Sequence, residues 1–263
     1  MMNSMQFLNK NNLQKIMAIA FALLLWQAIA LLLNNTLLLA GPLEVLNRLF
    51  ELLQTEEYWI SLANSISNIL LGLLIAIALG LMLAAISSKL KFVDIMLWPI
   101  VACIKATPLA SFVIICLVWV GNTKLSIITV FLIVFPIVYS NMLTAYKSID
   151  KKLNQMLMIF EVPFSRRMRL LYIPQSIKTF ISTLEVAIGM AFKSGVAAEL
   201  IAVPMNTIGD LLREAKVFLL TADMFAWTFS IIVISVCVER FIVFVIKECY
   251  KCFINRRESF DKA

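Results

Sequence analysis

The chain has 263 residues, 62% of them hydrophobic and only 15% charged, with a mean hydropathy of +0.93. A soluble domain is about half apolar and about a quarter charged, so this composition excludes an ordinary soluble fold and points to a membrane-embedded chain. There is no histidine, which removes the usual general base and the commonest metal ligand, and the net charge of +7 sorts by position along the chain in a way that excludes nucleic acid as its cause.

A span needs about 20 mostly apolar residues, and six stretches qualify: Ile16 to Leu33, Ile66 to Ile86, Leu97 to Val120, Leu125 to Tyr146, Ile177 to Val203 and Met224 to Ile246. The expectation is an all-α integral membrane protein. The first stretch reads as a retained span, because its apolar run is long and no small-residue cleavage site follows closely. Lys10 and Lys15 precede it, and Lys89 and Lys91 separate the second and third. Seven basic residues, from Lys147 to Lys178, lie between the fourth and fifth. A further basic group follows the sixth, from Lys247 to Lys262. Only Arg48, Lys124, Arg213 and Lys216 lie on the other side. Basic loops stay in the cytoplasm, so both termini are expected there.

The outer segments differ in character. "GPLEVLNRLFELLQ", residues 41–54, spaces Leu43, Leu46, Phe50 and Leu53 as on one face of a helix, suited either to the outer membrane surface or to packing as a connector. "TIGDLLREAKVFLLTA", residues 207–222, reads as a second short amphipathic helix.

The longest cytoplasmic connection contains "QMLMIFEVPFSRRMRLLYIP", residues 155–174. Leu153, Met156, Leu157 and Phe160 recur at helical spacing. Pro163 breaks the helix and suits the first turn of another, in which Phe164, Met168 and Leu171 repeat the stripe. The expectation is helix, corner, helix. Two uses are open: an interfacial helix that extends Arg166, Arg167 and Arg169 to lipid phosphates, or a docking surface for a partner.

Ionisable groups inside spans are costly and mark function by default. Lys105 stands about 8 residues into the third span, about 12 Å deep, with Thr107 and Pro108 close behind. It reads as a pathway group touching substrate or a fifth-span carboxylate, or as half of a buried ion pair. In the fifth span, Glu185 and Lys193 lie within about 80° of each other with Gly189 between them, a small and polar face suited to a cavity. Glu199 lies near the outer end, where gating and capping are both open readings. Ala187, Ala191, Ser194 and Ala198 have the small-xxx-small spacing of close helix contacts. Glu239 and Arg240, adjacent in the sixth span, read as a structural pair. Cys103, Cys116, Cys237, Cys249 and Cys252 read as free thiols. Although Cys249 and Cys252 form a C-x-x-C, a zinc site of that type needs a second pair.

Several segments together resemble the permease subunits of binding-protein-dependent ABC importers. "SISNILLGLLIAIALGLMLAAIS", "LWPIVACIKATPLASFVII", "AIGMAFKSGVAAELIAVPMNTIGDLL" and "DMFAWTFSIIVISVCVERF" are similar to the corresponding spans of that family, over about residues 42–247. The match is closest to its nitrate, sulfonate, taurine and bicarbonate branch. Residues 155–174 resemble the family's cytoplasmic signature at the Pro174 end and in the basic middle. Gln155, Met156 and Leu157 stand in place of its Glu-Ala-Ala, and Glu161 in place of its glycine.

The resemblance implies a type I importer permease with six transmembrane helices. Residues 1–41 would be an N-terminal tail and first helix, 42–247 the transmembrane core and 248–263 a cytoplasmic tail. It further implies a corner, Phe160, Glu161, Val162, Pro163, Phe164, Ser165, Arg166, Arg167 and Arg169, docked on a separate ATPase subunit that binds the ATP. Lys105, Thr107, Glu185, Gly189, Lys193 and Glu199 would then line or gate the pathway. An extracytoplasmic substrate-binding protein and a second copy of this chain, in a homodimer, are the other implied partners, in a bacterial plasma membrane. The chain holds no G-x-x-x-x-G-K-[ST], the loop that cradles nucleotide phosphates. It is expected to be a transport subunit, not an enzyme, and to carry no cofactor or metal. A secondary transporter working alone on an ion gradient is the competing reading; it predicts transport without ATP. An intramembrane enzyme is the third, and no catalytic motif supports it.

Overall fold

The computed structural model describes residues 2–33, 35 and 37–260, and among them every regular element is helical. In chain order these are α1 (Met2–Leu33), α2 (Pro42–Leu53), α3 (Glu56–Lys89), α4 (Lys91–Ala106), α5 (Leu109–Val120) and α6 (Leu125–Lys147). Then come α7 (Lys151–Ile159), α8 (Phe164–Arg167), a π-helical turn (Met168–Tyr172), α9 (Ile173–Ala202), α10 (Ile208–Val217) and α11 (Thr221–Phe260). Without water in a bilayer core each backbone N–H and C=O needs a partner within the protein, and a helix satisfies them inside one segment.

Among the described residues three helices are long and apolar enough to cross a membrane: Glu56–Lys89, Leu125–Lys147 and the Thr221–Cys252 part of α11. A fourth crossing exists if α4 and α5 count as one. The expected third span is not a straight helix. Pro108 forces the preceding Thr107 into an extended conformation (ψ 130°), and the two pieces bend by 106°. The expected first span corresponds to the shorter apolar stretch Met17–Leu33 of α1. The expected fifth lies in α9, a 30-residue helix whose apolar run is interrupted by Lys178, Glu185, Lys193 and Glu199.

The chain divides into two compact units, Met1–Ile60 with Leu211–Ser230, and Ser61–Asp210 with Ile231–Ala263. In the second, α6 and α9 form the main helix pair. Val130, Val134 and Val138 of α6 and Ala187, Ala191 and Ala198 of α9 are fully buried. Here lies the use of the small-residue stripe: it packs within the chain. Helix α3 joins them through glycines. A Cβ on Gly72 would stand 2.5 Å from the carbonyl oxygen of Ile127, and one on Gly80 would stand 2.9 Å from Val138 Cβ. With dispersion contacts replacing any hydrophobic drive between helices in lipid, such close approach is what holds them.

In the first unit, the inner face of α2 (Val45, Leu49, Leu52) packs on Ala40, Ala226 and Phe225, and Trp26 stands 5.3 Å from Phe225. Leu43, Leu46 and Phe50 are exposed on α2. Helix α2 is thus both a packed connector and an apolar surface, two readings the spacing had left as alternatives.

Candidate functional site

The connection between α6 and α9 folds as helix, corner, helix. Asp150 caps α7 by accepting from the N–H groups of Lys152 (2.8 Å) and Leu153 (3.3 Å), as a short acidic side chain at this position does. The corner is closed by Glu161 N–H to Met158 O (2.9 Å) and Val162 N–H to Leu157 O (3.0 Å). It requires a left-handed residue, and Glu161 has φ +53°. The position where the resembled signature places glycine therefore keeps a glycine's backbone conformation while holding a glutamate. Pro163 stands one residue earlier than expected, as the N-cap of α8 rather than in its first turn. From Phe164 the backbone stays helical through the π turn into α9, so the corner is the end of one helical run reaching Ala202.

None of α7 is buried. The apolar stripe faces outward: Ile159 is 80% and Phe160 71% exposed, and Leu153 and Met156 are exposed beside them. Arg166, Arg169 and Ser165 are exposed as well, while Val162 and Arg167 are partly covered. Phe164 has a different setting from Phe160. Lys89 Nζ sits 4.1 Å over its ring, Arg167 Cζ 5.9 Å away, and Tyr172 packs at 6.4 Å. It is a brace between the corner and the end of α3, an arrangement that spacing alone does not reveal.

Lys105 forms neither the buried ion pair nor the contact with a fifth-span carboxylate that its sequence position allowed. It is exposed in the last turn of α4, where a cation favours the negative helix end, and its Nζ donates to Ser140 Oγ of α6 (2.7 Å). Among the described residues it meets neither a carboxylate of α9 nor a buried counter-ion. Thr107 turns back to donate to Cys103 O (2.8 Å). The break between α4 and α5 is what ends the helix beside Lys105 and brings it to this position.

On α9, Glu185 and Lys193 are exposed and Gly189 lies between them with open space where a Cβ would stand. These three share one uncovered face. Glu199 is not part of it: its side chain is fully buried. Glu239 and Arg240 form no ion pair among the described residues; neighbours in a helix point about 100° apart. All five cysteines are free, Cys116 being the buried one.

The first unit holds a polar centre absent from the sequence reading. Arg48 donates to both oxygens of Asp223 (2.6 and 3.0 Å) and to Glu51 (2.7 Å); Asp223, then Glu51, raise the guanidinium above its ordinary pKa and keep it charged. Beside it Tyr58 stacks on Trp227 at 4.8 Å and donates to Ser230 Oγ at 2.9 Å. Partners so far apart in sequence leave no local spacing to read.

Residues 59–248 match the family model described as "Binding-protein-dependent transport system inner membrane component". The chain is similar to a putative aliphatic sulfonates transport permease protein of Bacillus subtilis, 23% identical over 85% of this chain and 81% of that one. It is also similar to the taurine transport system permease protein of Escherichia coli, 24% identical over 84% and 82%. A formylaminopyrimidine transport permease protein of Halalkalibacterium halodurans is 21% identical over 67% and 71%.

Proposed function

The chain belongs to the family of binding-protein-dependent transport system inner membrane components, the membrane subunits of ABC importers, and from that premise we propose how it works and what it carries. It moves a small solute, of the sulfonate or taurine kind or a related small organic compound, delivered by an extracytoplasmic substrate-binding protein. ATP is bound and hydrolysed on a separate ATPase subunit, so the chain needs no cofactor of its own. The working unit has six spans per chain, with both termini cytoplasmic, in a bacterial plasma membrane. Its transmembrane core is residues 42–247.

The observation that carries this reading is the outward-facing apolar stripe of α7 and the corner, ending at Phe160. An exposed stripe on an Asp-capped helix, with basic residues beside it, has the form of a helix that lays its apolar face into a partner's groove. Closing of the ATPase subunits on ATP would displace the corner. Because the backbone is helical from Phe164 to Ala202, that displacement is delivered along α9. The uncovered face of α9, with Glu185, Gly189 and Lys193, then borders the pathway against a second permease copy, and Lys105 and Thr107 contribute at the break between α4 and α5. Alternating access of this kind needs helices that move as bodies around a fixed route. Lipid covers the remaining apolar surface.

The test is purification of the chain from its native membrane in mild detergent, with mass spectrometry of what accompanies it. An ATPase with a nucleotide-binding P-loop, together with a solute receptor, is the expected result. A chain that purifies alone and transports in ATP-free liposomes would overturn it.

A further inference from the structure

At the far end of α9 from the corner, three helices are tied at one buried carboxyl group. Glu199 is fully buried, and its Oε2 accepts from Ser65 Oγ of α3 at 2.6 Å and from the Gly209 N–H at 3.4 Å. Ser65 Oγ in turn accepts from the Ile208 N–H at 2.9 Å. Ser65 is thus donor to one segment and acceptor from another, a bridge between α3, α9 and the first turn of α10. Next to it, Asn64 Nδ2 donates to Asn206 O at 2.9 Å, tying the intervening reversal to α3 as well.

The backbone in this region is forced into place. Val203 has φ +54° and ψ +54°, a left-handed conformation that is an outlier for a β-branched residue, and Asn206 has φ +55°. Gly209 has no room for a side chain: a Cβ would stand 2.3 Å from Glu199 Cβ and 2.5 Å from its carbonyl carbon. Strained residues persist only where their surroundings over-determine them. Here the surroundings are the hydrogen bonds of Glu199, Ser65 and Asn64.

We propose that Glu199 is a positioning residue: with Ser65 it makes the outer end of α9, the reversal 203–207 and the first turn of α10 one rigid body with α3. This inference rests on the proposed function, in which α9 borders the pathway and the corner meets the ATPase, so that the other end of α9 lies toward the receptor's side. It places Glu199 outside the pathway and gives it a mechanical duty, the transfer of a receptor's push on the outer side into α9. What the duty uses is the hydrogen-bonding geometry of the group, not its charge.

The assay is phosphate release by the assembled transporter, permease with ATPase, with and without the receptor as purified with its native ligand. Glu199→Ala and Ser65→Ala are expected to assemble and to lose receptor stimulation, while receptor-free hydrolysis continues. Glu199→Gln keeps a carbonyl acceptor for Ser65 and is expected to retain stimulation. Full stimulation in either alanine variant overturns the inference. So does a Glu199→Gln variant as impaired as Glu199→Ala, which would assign the role to charge. Failure of both alanine variants to assemble with the ATPase also overturns it, making the knot a folding element. If the wild-type chain itself shows no ATPase partner, the proposed function fails. Hydrogen exchange at the Ile208 and Gly209 amides of Ser65→Ala then decides the knot alone: faster exchange sustains it, and unchanged exchange ends it.

Discussion

Replacing Glu161 by glycine isolates the strain in the corner between α7 and α8. Glu161 is exposed, has φ +53°, and its side chain forms no hydrogen bond or ion pair among the described residues. The substitution therefore removes no side-chain contact. A left-handed non-glycine residue costs about 1–2 kcal/mol. Glycine removes that penalty but gives the open chain more freedom, at about 0.5–1 kcal/mol. The net expectation is a corner more stable by about 0.5–1 kcal/mol, which slows local opening by about two- to fivefold. Hydrogen exchange at the amides of Phe160, Glu161 and Val162, which close the corner, reads this directly. Glu161→Val, β-branched and poorly suited to φ > 0, should speed the same exchange. Equal or faster exchange in Glu161→Gly would refute the claim that this backbone angle is strained.

Phe160→Asp should leave the chain inserted and folded, because the ring is exposed, and should abolish co-purification of the ATPase; normal co-purification would remove Phe160 from the docking surface. Phe164→Ala should act differently, loosening the corner through loss of the Lys89 contact, worth about 0.5–1 kcal/mol at an exposed site, read as faster exchange at the π turn. Gly80→Ala places a Cβ 2.9 Å from Val138 Cβ and should destabilise the α3–α6 contact by about 1–3 kcal/mol, read as a lower unfolding midpoint in detergent. Asp223→Asn should weaken the first unit by about 1 kcal/mol, discounted for the partial exposure of Arg48. A double-mutant cycle with Arg48→Met checks it, and a coupling near zero would mean the pair contributes nothing.

The corner and the α9 face were legible for the same reason: both are local. Leu153, Met156 and Phe160 repeat at helical spacing, Pro163 interrupts it, and eight residues carry Glu185 round the helix to Lys193. Even the left-handed residue at 161 was marked by the glycine of the resembled signature. The surroundings of Lys105 were not legible, because its depth was counted along a straight span, whereas the chain bends by 106° at Pro108. Glu199 was assigned to gate or cap in general terms, without Ser65. A carboxyl group in a span signals function, yet its partner lies 134 positions away, beyond any helical period.

By itself, then, the chain's order of residues determined its membrane-embedded, helical character, the expected side of its basic loops, and where its helices break. These follow from hydropathy, charge and proline, properties each short window carries whole. Tertiary structure alone decided the rest. It turned the small-residue stripe of α9 inward against α6, set Phe164 under Lys89, paired Arg48 with Asp223, and bound Glu199 to Ser65 and Gly209. Each of these depends on which helix faces which, and that is settled by close packing of side chains brought together from distant parts of the chain.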